Sequence, residues 1–319
     1  MLSENTVKKA GLFVDTHKKY NPLLGMVALN GRVMATDLDC EFQRLETGPE
    51  GCYTVPTLEL WGLTGAIKRD ACFEDYPTAL NMTDGQFIGD FSAEVIATGF
   101  KTVLKSASND QTRYNINGIC LDPEYGLVAT DGHRLITYKN GFERRVEKQV
   151  ILPSSGVKKV IKWIGCFDAI QQKQPIEVYV SFETNMIRFK SDIEQVTMRL
   201  VDGQYPQFPQ VIPASLKYKS DLLAGMKLKE AVKKLRGINK ASGDKNAAIK
   251  ITEHVIEYKK QSVFLINGPI ESVGISARYL ADAIEQTGSG VIGSNSPVEP
   301  IVFNGNPDVM VVIMPMKFE

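Results

Sequence analysis

The amino-acid sequence predicts an α+β protein built from repeated modules, of which the first is shortened. Three observations predict this class: short segments that recur in one order, runs of alternating apolar and polar residues, and amphipathic helices between them. The chain has 319 residues, 43% hydrophobic and 23% charged. That length and composition are sufficient for two or three separate cores.

The repeat is marked by three short segments that recur in the same order along the chain. Residues 33–37 (VMATD) recur as 127–131 (LVATD), residues 54–57 (TVPT) as 151–154 (ILPS), and residues 75–77 (DYP) as 204–206 (QYP). The helix that follows the second mark keeps its phase, because Leu60, Leu63 and Ile67 correspond to Val157, Val160 and Ile164. Chance similarity in a β-rich chain is the alternative, but three ordered marks favour two copies of one domain.

The two copies differ in length at one place. Pro56 and Pro77 are separated by 21 positions, whereas the equivalent Pro153 and Pro206 are separated by 53, so the first copy is 32 residues shorter. In the second copy this stretch alternates as a β-meander, with a turn at Thr184 and Asn185. The first copy therefore lacks roughly three short strands. With one further module after Pro213, the predicted domains are residues 1–88, 89–213 and 214–319.

Amphipathic helices carry lysine on the side opposite their apolar face. The apolar faces are Ile96, Gly99, Phe100 and Val103 after Ser92; Val157, Val160, Ile161 and Ile164 after Ser154; and Leu228, Ala231, Val232 and Leu235 within residues 226–240. The first helix carries Lys8, Lys9, Lys18 and Lys19. A helix over residues 276–287 and a strand over about residues 308–314 complete the third module.

The distribution of charge is more informative than its sum. Lys plus Arg and Asp plus Glu each number 37, so the positive charge on the helices is balanced by acidic residues elsewhere. One lysine face is usually only solvated. Several of them in a neutral chain favour a surface that follows phosphates without reading bases. Three His and two Trp offer little for stacking single-stranded bases.

Composition also bounds the environment of the chain. Five cysteines, an odd number with no C-x-x-C spacing, favour free thiols in a reducing compartment. The N-terminal segment lacks the apolar core of a signal peptide, and no run approaches 18 apolar residues. We therefore expect a soluble cytoplasmic protein without a membrane partner.

A search for catalytic motifs finds none with its full residue set. No G-x-x-x-x-G-K-[ST] or strand-borne G-x-G-x-x-G occurs, and His17, His133 and His254 show no zinc spacing, so we expect neither cofactor nor metal. The polar cluster 130–134 (TDGHR) has two interpretations. Asp131, His133 and Arg134 would serve an enzyme as an acid–base set, whereas Asp-Gly between two apolar runs predicts a hairpin turn. We favour the turn.

With this cluster the sequence resembles a known family, the bacterial DNA polymerase III β subunit or sliding clamp. The matching segments are residues 117–119 (NGI), 128–135 (VATDGHRL), 152–154 (LPS), 200–206 (LVDGQYP), 211–213 (VIP) and 312–317 (VIMPMK), with 21–25 (NPLLG) and 35–39 (ATDLD) resembling the family's opening. The resemblance implies the DNA-clamp fold: three similar domains of helices packed on curved antiparallel sheets. It further implies a head-to-tail homodimeric ring with helices around the hole, and no enzymatic activity.

The resemblance implies two binding surfaces. Double-stranded DNA, bound without sequence preference, is expected to contact Lys8, Lys9, Lys101, Lys105, Arg113, Tyr114, Lys158, Lys159, Lys162, Lys229, Lys233, Arg236 and Lys240. A pocket for short peptides from DNA polymerase, the clamp loader and repair proteins is expected at Ile116, Thr130, Gly132, His133, Arg134, Leu135, Pro206, Val211, Tyr279, Val298, Pro300, Val312, Ile313, Met314, Pro315 and Met316. Without the resemblance, residues 312–316 are simply a terminal strand.

Three departures from the family pattern affect these expectations. Ser276 stands where Asn is usual, Gln210 where Arg is common, and residues 317–319 (KFE) extend past the usual ending. The missing 32 residues belong to the part of the first domain that meets the neighbouring protomer in the family. An adaptor that keeps the peptide pocket but closes no ring is therefore the alternative function.

Overall fold

The computed structural model describes most of the chain. The described residues are 2–15, 21–46, 48, 50–56, 58–59, 70–76, 80, 82, 85–221, 227–244, 246–252, 255–259, 261–265, 272–288 and 291–317. The predicted helix around Leu60, Leu63 and Ile67, and the residues His17, Lys18, Lys19 and His254, lie outside them. The chain forms two compact units, one of residues 1–101 with 150–203 and the other of residues 102–149 with 204–319.

The helices follow the amphipathic patterns of the sequence. They are α1 (Glu4–Gly11), α2 (Ala93–Leu104), α3 (Ser154–Ile164), α4 (Leu228–Ser242) and α5 (Ala277–Thr287). Ile96, Phe100 and Val103 of α2 are buried, which confirms the predicted apolar face. In α3 Val157, Val160 and Ile164 are buried while Ile161 is only half-buried. No helix within the described residues has the length and apolar character needed to cross a membrane.

The strands of the first unit form one antiparallel sheet. They are β1 (Met26–Leu29), β2 (Val33–Thr36), β3 (Cys40–Arg44), β4 (Gly51–Thr54), β5 (Gln86–Ser92), β10 (Pro175–Ser181), β11 (Met186–Lys190) and β12 (Glu194–Arg199), in the order β4-β1-β2-β3-β12-β11-β10-β5. Strands β10 to β12 are the predicted meander, with Asn185 at positive φ in its turn. Between β4 and β5 the described residues include helical positions at Val55, Pro56, Leu58 and Glu59 and a 3-10 turn, Phe73–Asp75, but no strand of the kind that forms the meander.

The second unit contains two antiparallel sheets. The strand order in one of them is β13 (Tyr218–Asp221), β18 (Val291–Ser294), β19 (Ile301–Asn306), β20 (Val309–Ile313), β8 (Arg134–Tyr138), β7 (Gly126–Thr130) and β6 (Gly118–Asp122). In the other, the order is β16 (Gln261–Leu265), β15 (Val255–Tyr258), β14 (Ala248–Ile251) and β17 (Val273–Ser276). The remaining strand, β9 (Val150–Pro153), belongs to the first unit and bridges Ile151 to Val201. The three-domain division remains a prediction.

The repeat is visible in the hydrogen bonds of two hairpin turns. In each, a threonine hydroxyl donates to the carbonyl four residues later and accepts the N–H two residues later. These bonds are Thr36 Oγ1 to Cys40 O (3.0 Å) and Leu38 N to Thr36 Oγ1 (3.0 Å) in the β2–β3 turn, and Thr130 Oγ1 to Arg134 O (2.6 Å) and Gly132 N to Thr130 Oγ1 (3.0 Å) in the β7–β8 turn. The TD pair of the repeated segment therefore specifies one turn geometry twice.

A buried ion cluster in the first unit corrects one predicted site residue. Lys9 was predicted to contact DNA, but its side chain is 0% exposed. Its Nζ lies 2.6 Å from Glu194 Oε1 and donates to Gln171 Oε1 at 2.9 Å. Trp163 Nε1 and Arg44 Nη1 also donate to Glu194, at 3.0 and 2.8 Å. Lys9 is therefore a core residue that joins α1 to β12, and the prediction for it was wrong.

Candidate functional site

The strongest candidate site begins with the tight turn between β7 and β8. Asp131 Oδ1 accepts the N–H groups of His133 and Arg134 at 3.0 and 3.2 Å, which fixes the turn as an Asx-type structure. Gly132 sits at φ +92°, a conformation that L side chains rarely adopt. This confirms the hairpin interpretation of the TDGHR cluster.

Beside this turn the second unit contains a cavity of about 190 Å³. Its walls are largely apolar and come from the β7–β8 hairpin, the segment that follows Tyr205, and the end of β20. Nine predicted pocket residues line it: Ile116, Thr130, Gly132, Arg134, Leu135, Pro206, Val211, Val312 and Met314. An apolar slot with a few polar groups at its edge suits a short peptide with apolar side chains.

Four lining residues were not predicted as part of the pocket. Arg113, predicted to contact DNA, lies in the cavity wall, together with Gln207, Phe208 and Gln210. Phe208 stacks edge-on against Tyr125, with ring centroids 5.2 Å apart, and the run QYPQFPQ around it was the available sequence signal. Gln210, noted as a departure from the family pattern, therefore does face the cavity.

The other predicted pocket residues do not line this cavity. They are His133, Tyr279, Val298, Pro300, Ile313, Pro315 and Met316. Ile313 is fully buried and Val298 is 80% exposed. His133 is exposed on the turn, and its carbonyl accepts the N–H of Met314 at 2.9 Å. Ser276 is the N-cap of α5, where its hydroxyl accepts the N–H of Tyr279.

Two arginines border the cavity and differ in what they can do. Arg134 is buried and ordered by three partners: Asp131 at 3.0 Å, Asp282 at 2.6 Å, and the carbonyl of Lys105 at 2.5 Å. Arg113 is exposed and donates to the carbonyl of Asp131 at 3.2 Å. Arg134 therefore shapes the wall, whereas Arg113 is placed to meet a ligand carboxylate.

The aromatic neighbours of this turn are held neutral by their surroundings. Burial raises the pKa of the Tyr279 phenol, and its ring stacks on the Arg134 guanidinium at 4.5 Å. Burial also raises the pKa of Tyr205, whose hydroxyl faces the Thr130 backbone without a hydrogen bond of normal geometry. Asp131 is engaged by the turn amides and by Arg134, as the hairpin interpretation of the cluster requires.

The predicted DNA-contacting residues fall into two groups. Nine of them are exposed and are not part of the ion pairs described next: Lys8, Lys101, Arg113, Tyr114, Lys158, Lys162, Lys229, Lys233 and Lys240. The other four have acidic partners: Lys9 contacts Glu194, Lys159 contacts Asp37, and both Lys105 and Arg236, which are also exposed, contact Glu285. Groups of His, Cys, Asp or Glu arranged to hold a metal ion do not occur among the described residues.

Substituting Gly132 tests the turn. We expect Gly132→Ala to lower the free energy of unfolding by about 1–2 kcal/mol, because alanine is strained at this φ. The new Cβ would also lie 3.0 Å from Arg113 Nη2. As the control, Gly237→Ala in α4 meets no atom within 4 Å and should raise stability by about 0.5–1 kcal/mol. Denaturant unfolding measures both, and equal shifts of one sign would contradict the turn argument.

Comparison with known proteins finds a family profile that matches the middle of the chain. Residues 91–207 match the profile described as DNA polymerase III beta subunit, central domain. The chain is 25% identical over 262 residues to the beta sliding clamp of Rickettsia felis, covering 71% of this chain and 66% of that protein. It is 27% identical over 246 residues to the beta sliding clamp of Rickettsia bellii, covering 66% and 62%. The chain thus spans less than two thirds of the length of these relatives.

Solved structures share the fold over nearly the whole chain. A putative DNA polymerase III beta subunit from Eubacterium rectale superposes with a TM-score of 0.80 at 13% identity, covering 98% of both chains. A sliding clamp from Bartonella birtlesii, bound to griselimycin, superposes with a TM-score of 0.77 at 23% identity, covering 98% and 97%. The predicted α+β clamp fold is thereby confirmed.

Proposed function

Because this chain is a divergent member of the bacterial DNA polymerase III β subunit family, we propose that it is a DNA sliding clamp. In this role it encircles duplex DNA and tethers the replicative polymerase, without catalysing a reaction. The observation that carries the proposal is the apolar cavity beside the β7–β8 turn, which unites nine residues predicted as a peptide pocket. The pocket's proposed ligands are short segments of the polymerase and the clamp loader.

The DNA-binding part of the proposal rests on the exposed lysines of the helices. Five of these exposed lysines lie on two helices: Lys158 and Lys162 on α3, and Lys229, Lys233 and Lys240 on α4. Such groups neutralise phosphates without fixing base sequence, so a duplex held only by them can move along its axis.

Ring closure by a second copy of the chain is also part of the proposal. We propose three modules, residues 1–88, 89–213 and 214–319, with the first module shortened. The truncated region lies between β4 and β5, so closure has to use a smaller or different surface than in longer relatives.

Retention on circular DNA tests the function. We expect protein loaded by a clamp loader and ATP onto nicked circular duplex to stay bound at high salt, and to leave once a restriction enzyme linearises the circle. A ring that encloses the DNA should behave in this way, whereas a protein held only by contacts with phosphates dissociates at high salt. Equal loss from intact and cut circles would overturn the proposal. A stable mass near 35.3 kDa at micromolar concentration would instead identify the ringless adaptor.

A further inference from the structure

Two cations predicted to contact DNA share one acidic partner. Lys105, just beyond α2, places its Nζ 3.0 Å from Glu285 Oε2, and Arg236 of α4 places Nη2 2.8 Å from the same oxygen. Hydrogen bonding from Lys105, with the charges of Lys105 and Arg236, lowers the pKa of Glu285. Glu285 is therefore an ionised carboxylate that both cations approach.

The cluster is exposed enough to exchange partners. The exposed fractions of the side chains are 48% for Lys105, 53% for Arg236 and 37% for Glu285. Ion pairs at this exposure contribute little to stability and are weakened by salt, so a phosphate can compete with the carboxylate for both cations. Arg236 has a second, longer contact to Asp282 at 3.9 Å, whereas Asp282 itself binds the buried Arg134 at 2.6 Å.

We propose that Glu285 is an internal counter-anion that holds Lys105 and Arg236 away from DNA phosphates and thereby limits the affinity of the protein for duplex DNA. This inference rests on the proposed function, since it assigns a regulator of the same DNA-binding surface. A DNA phosphate that binds either cation must first displace this carboxylate. Binding of DNA to these two cations is then weaker than it would be without the carboxylate. Weak binding of this kind suits a surface over which a duplex slides.

The test compares Glu285→Gln with wild type for binding to a fluorescent linear 30-base-pair duplex across a salt series. We expect affinity at low salt to rise about threefold to thirtyfold, since two exposed ion pairs no longer compete. The slope of log affinity against log salt should steepen by about one to two, because each additional phosphate contact contributes about 0.9. Unchanged affinity and slope would overturn the inference.

Two controls separate freed cations from a general loss of negative charge. Glu230→Gln removes the same charge from α4, where the Glu230 carboxylate pairs with Lys234, which is not among the predicted DNA contacts. It should change DNA affinity less than twofold. In a Lys105→Gln/Arg236→Gln background, Glu285→Gln should have no further effect. A gain that persists in that background would mean that simple repulsion, not partner competition, explains the result.

The outcomes also separate this inference from the proposed function. Wild-type protein that stays on intact circles but shows no Glu285 effect retains the clamp function and loses the counter-anion role. Conversely, a Glu285 effect on linear duplex together with no retention on circles would support the counter-anion role and contradict the ring.

Discussion

Replacing Glu194 with alanine is expected to destabilise the first unit by about 3–5 kcal/mol, because it leaves the Lys9 ammonium buried without its anionic partner. The side chains of Lys9 and Glu194 are both 0% exposed. Gln171 still accepts from Lys9, but a neutral amide does not offset the loss of hydration of a buried charge. In calorimetry this loss corresponds to a fall in the midpoint of roughly 10 °C.

We attribute the loss of stability to the unpaired charge of Lys9, and a double substitution tests this attribution. Lys9→Met with Glu194→Gln removes both charges and keeps an acceptor for Trp163 and Arg44. We expect it to recover most of the lost stability, because buried ion pairs are often replaceable by neutral groups of similar volume.

An exposed ion pair provides the control for Glu194→Ala. Glu177 contacts Lys190 at 2.9 Å with side chains 39% and 47% exposed, so Glu177→Ala should cost no more than about 1 kcal/mol. A similar loss for both alanine variants would contradict the assignment of Lys9 to the core.

The example of Lys9 also indicates where inference from sequence stops. The spacing of apolar residues predicted α2, α3 and the meander, because these patterns are local and each period belongs to one type of element. Helical spacing places Lys9, but not Lys8, on the buried face of α1 with Thr6, yet the local sequence does not show which group pairs with a buried lysine. That partner is Glu194, which lies 185 positions along the chain.

The same limit applies to the pocket. The resemblance identified nine of the residues that line the cavity, since they belong to segments with matching motifs. It missed Phe208, whose position depends on packing against Tyr125. It also included Tyr279, whose ring stacks on the Arg134 guanidinium and does not line the cavity. Motif matching finds the segments that form a wall, but packing determines which side chains face the space inside.

Substituting Met314 with aspartate is expected to weaken ligand binding at the pocket at least about tenfold, which corresponds to about 1.4 kcal/mol. Met314 follows β20, is half-buried and lines the cavity, together with Val312 and Leu135. A ligand that fills this apolar slot would have to remove the new carboxylate from water without pairing it, which is costly. A short peptide with apolar side chains, the class of ligand proposed for this cavity, is the probe, and isothermal titration calorimetry measures its affinity.

Met310 offers a matched control, earlier along the strand that Met314 follows. It is also half-buried and lies in β20, but it lines a different cavity with Tyr125 and Lys139. Met310→Asp introduces the same charge four residues away and should leave the affinity for the same peptide within twofold of wild type. Both variants should unfold within about 1 kcal/mol of wild type, because neither side chain is fully buried.

The comparison between the two variants locates the ligand. A pocket formed by the β7–β8 turn and the end of β20 predicts loss only for Met314→Asp, because Met310 and Met314 line different cavities and lie four residues, or about 13 Å, apart along the strand and its continuation. Equal loss for both variants would point to a general effect of charge on the second unit. Wild-type affinity for Met314→Asp, or no peptide binding by the wild-type chain, would contradict the assignment of this cavity as the ligand site. The apolar slot would then be a feature of packing, and the polymerase would have to be tethered through another surface.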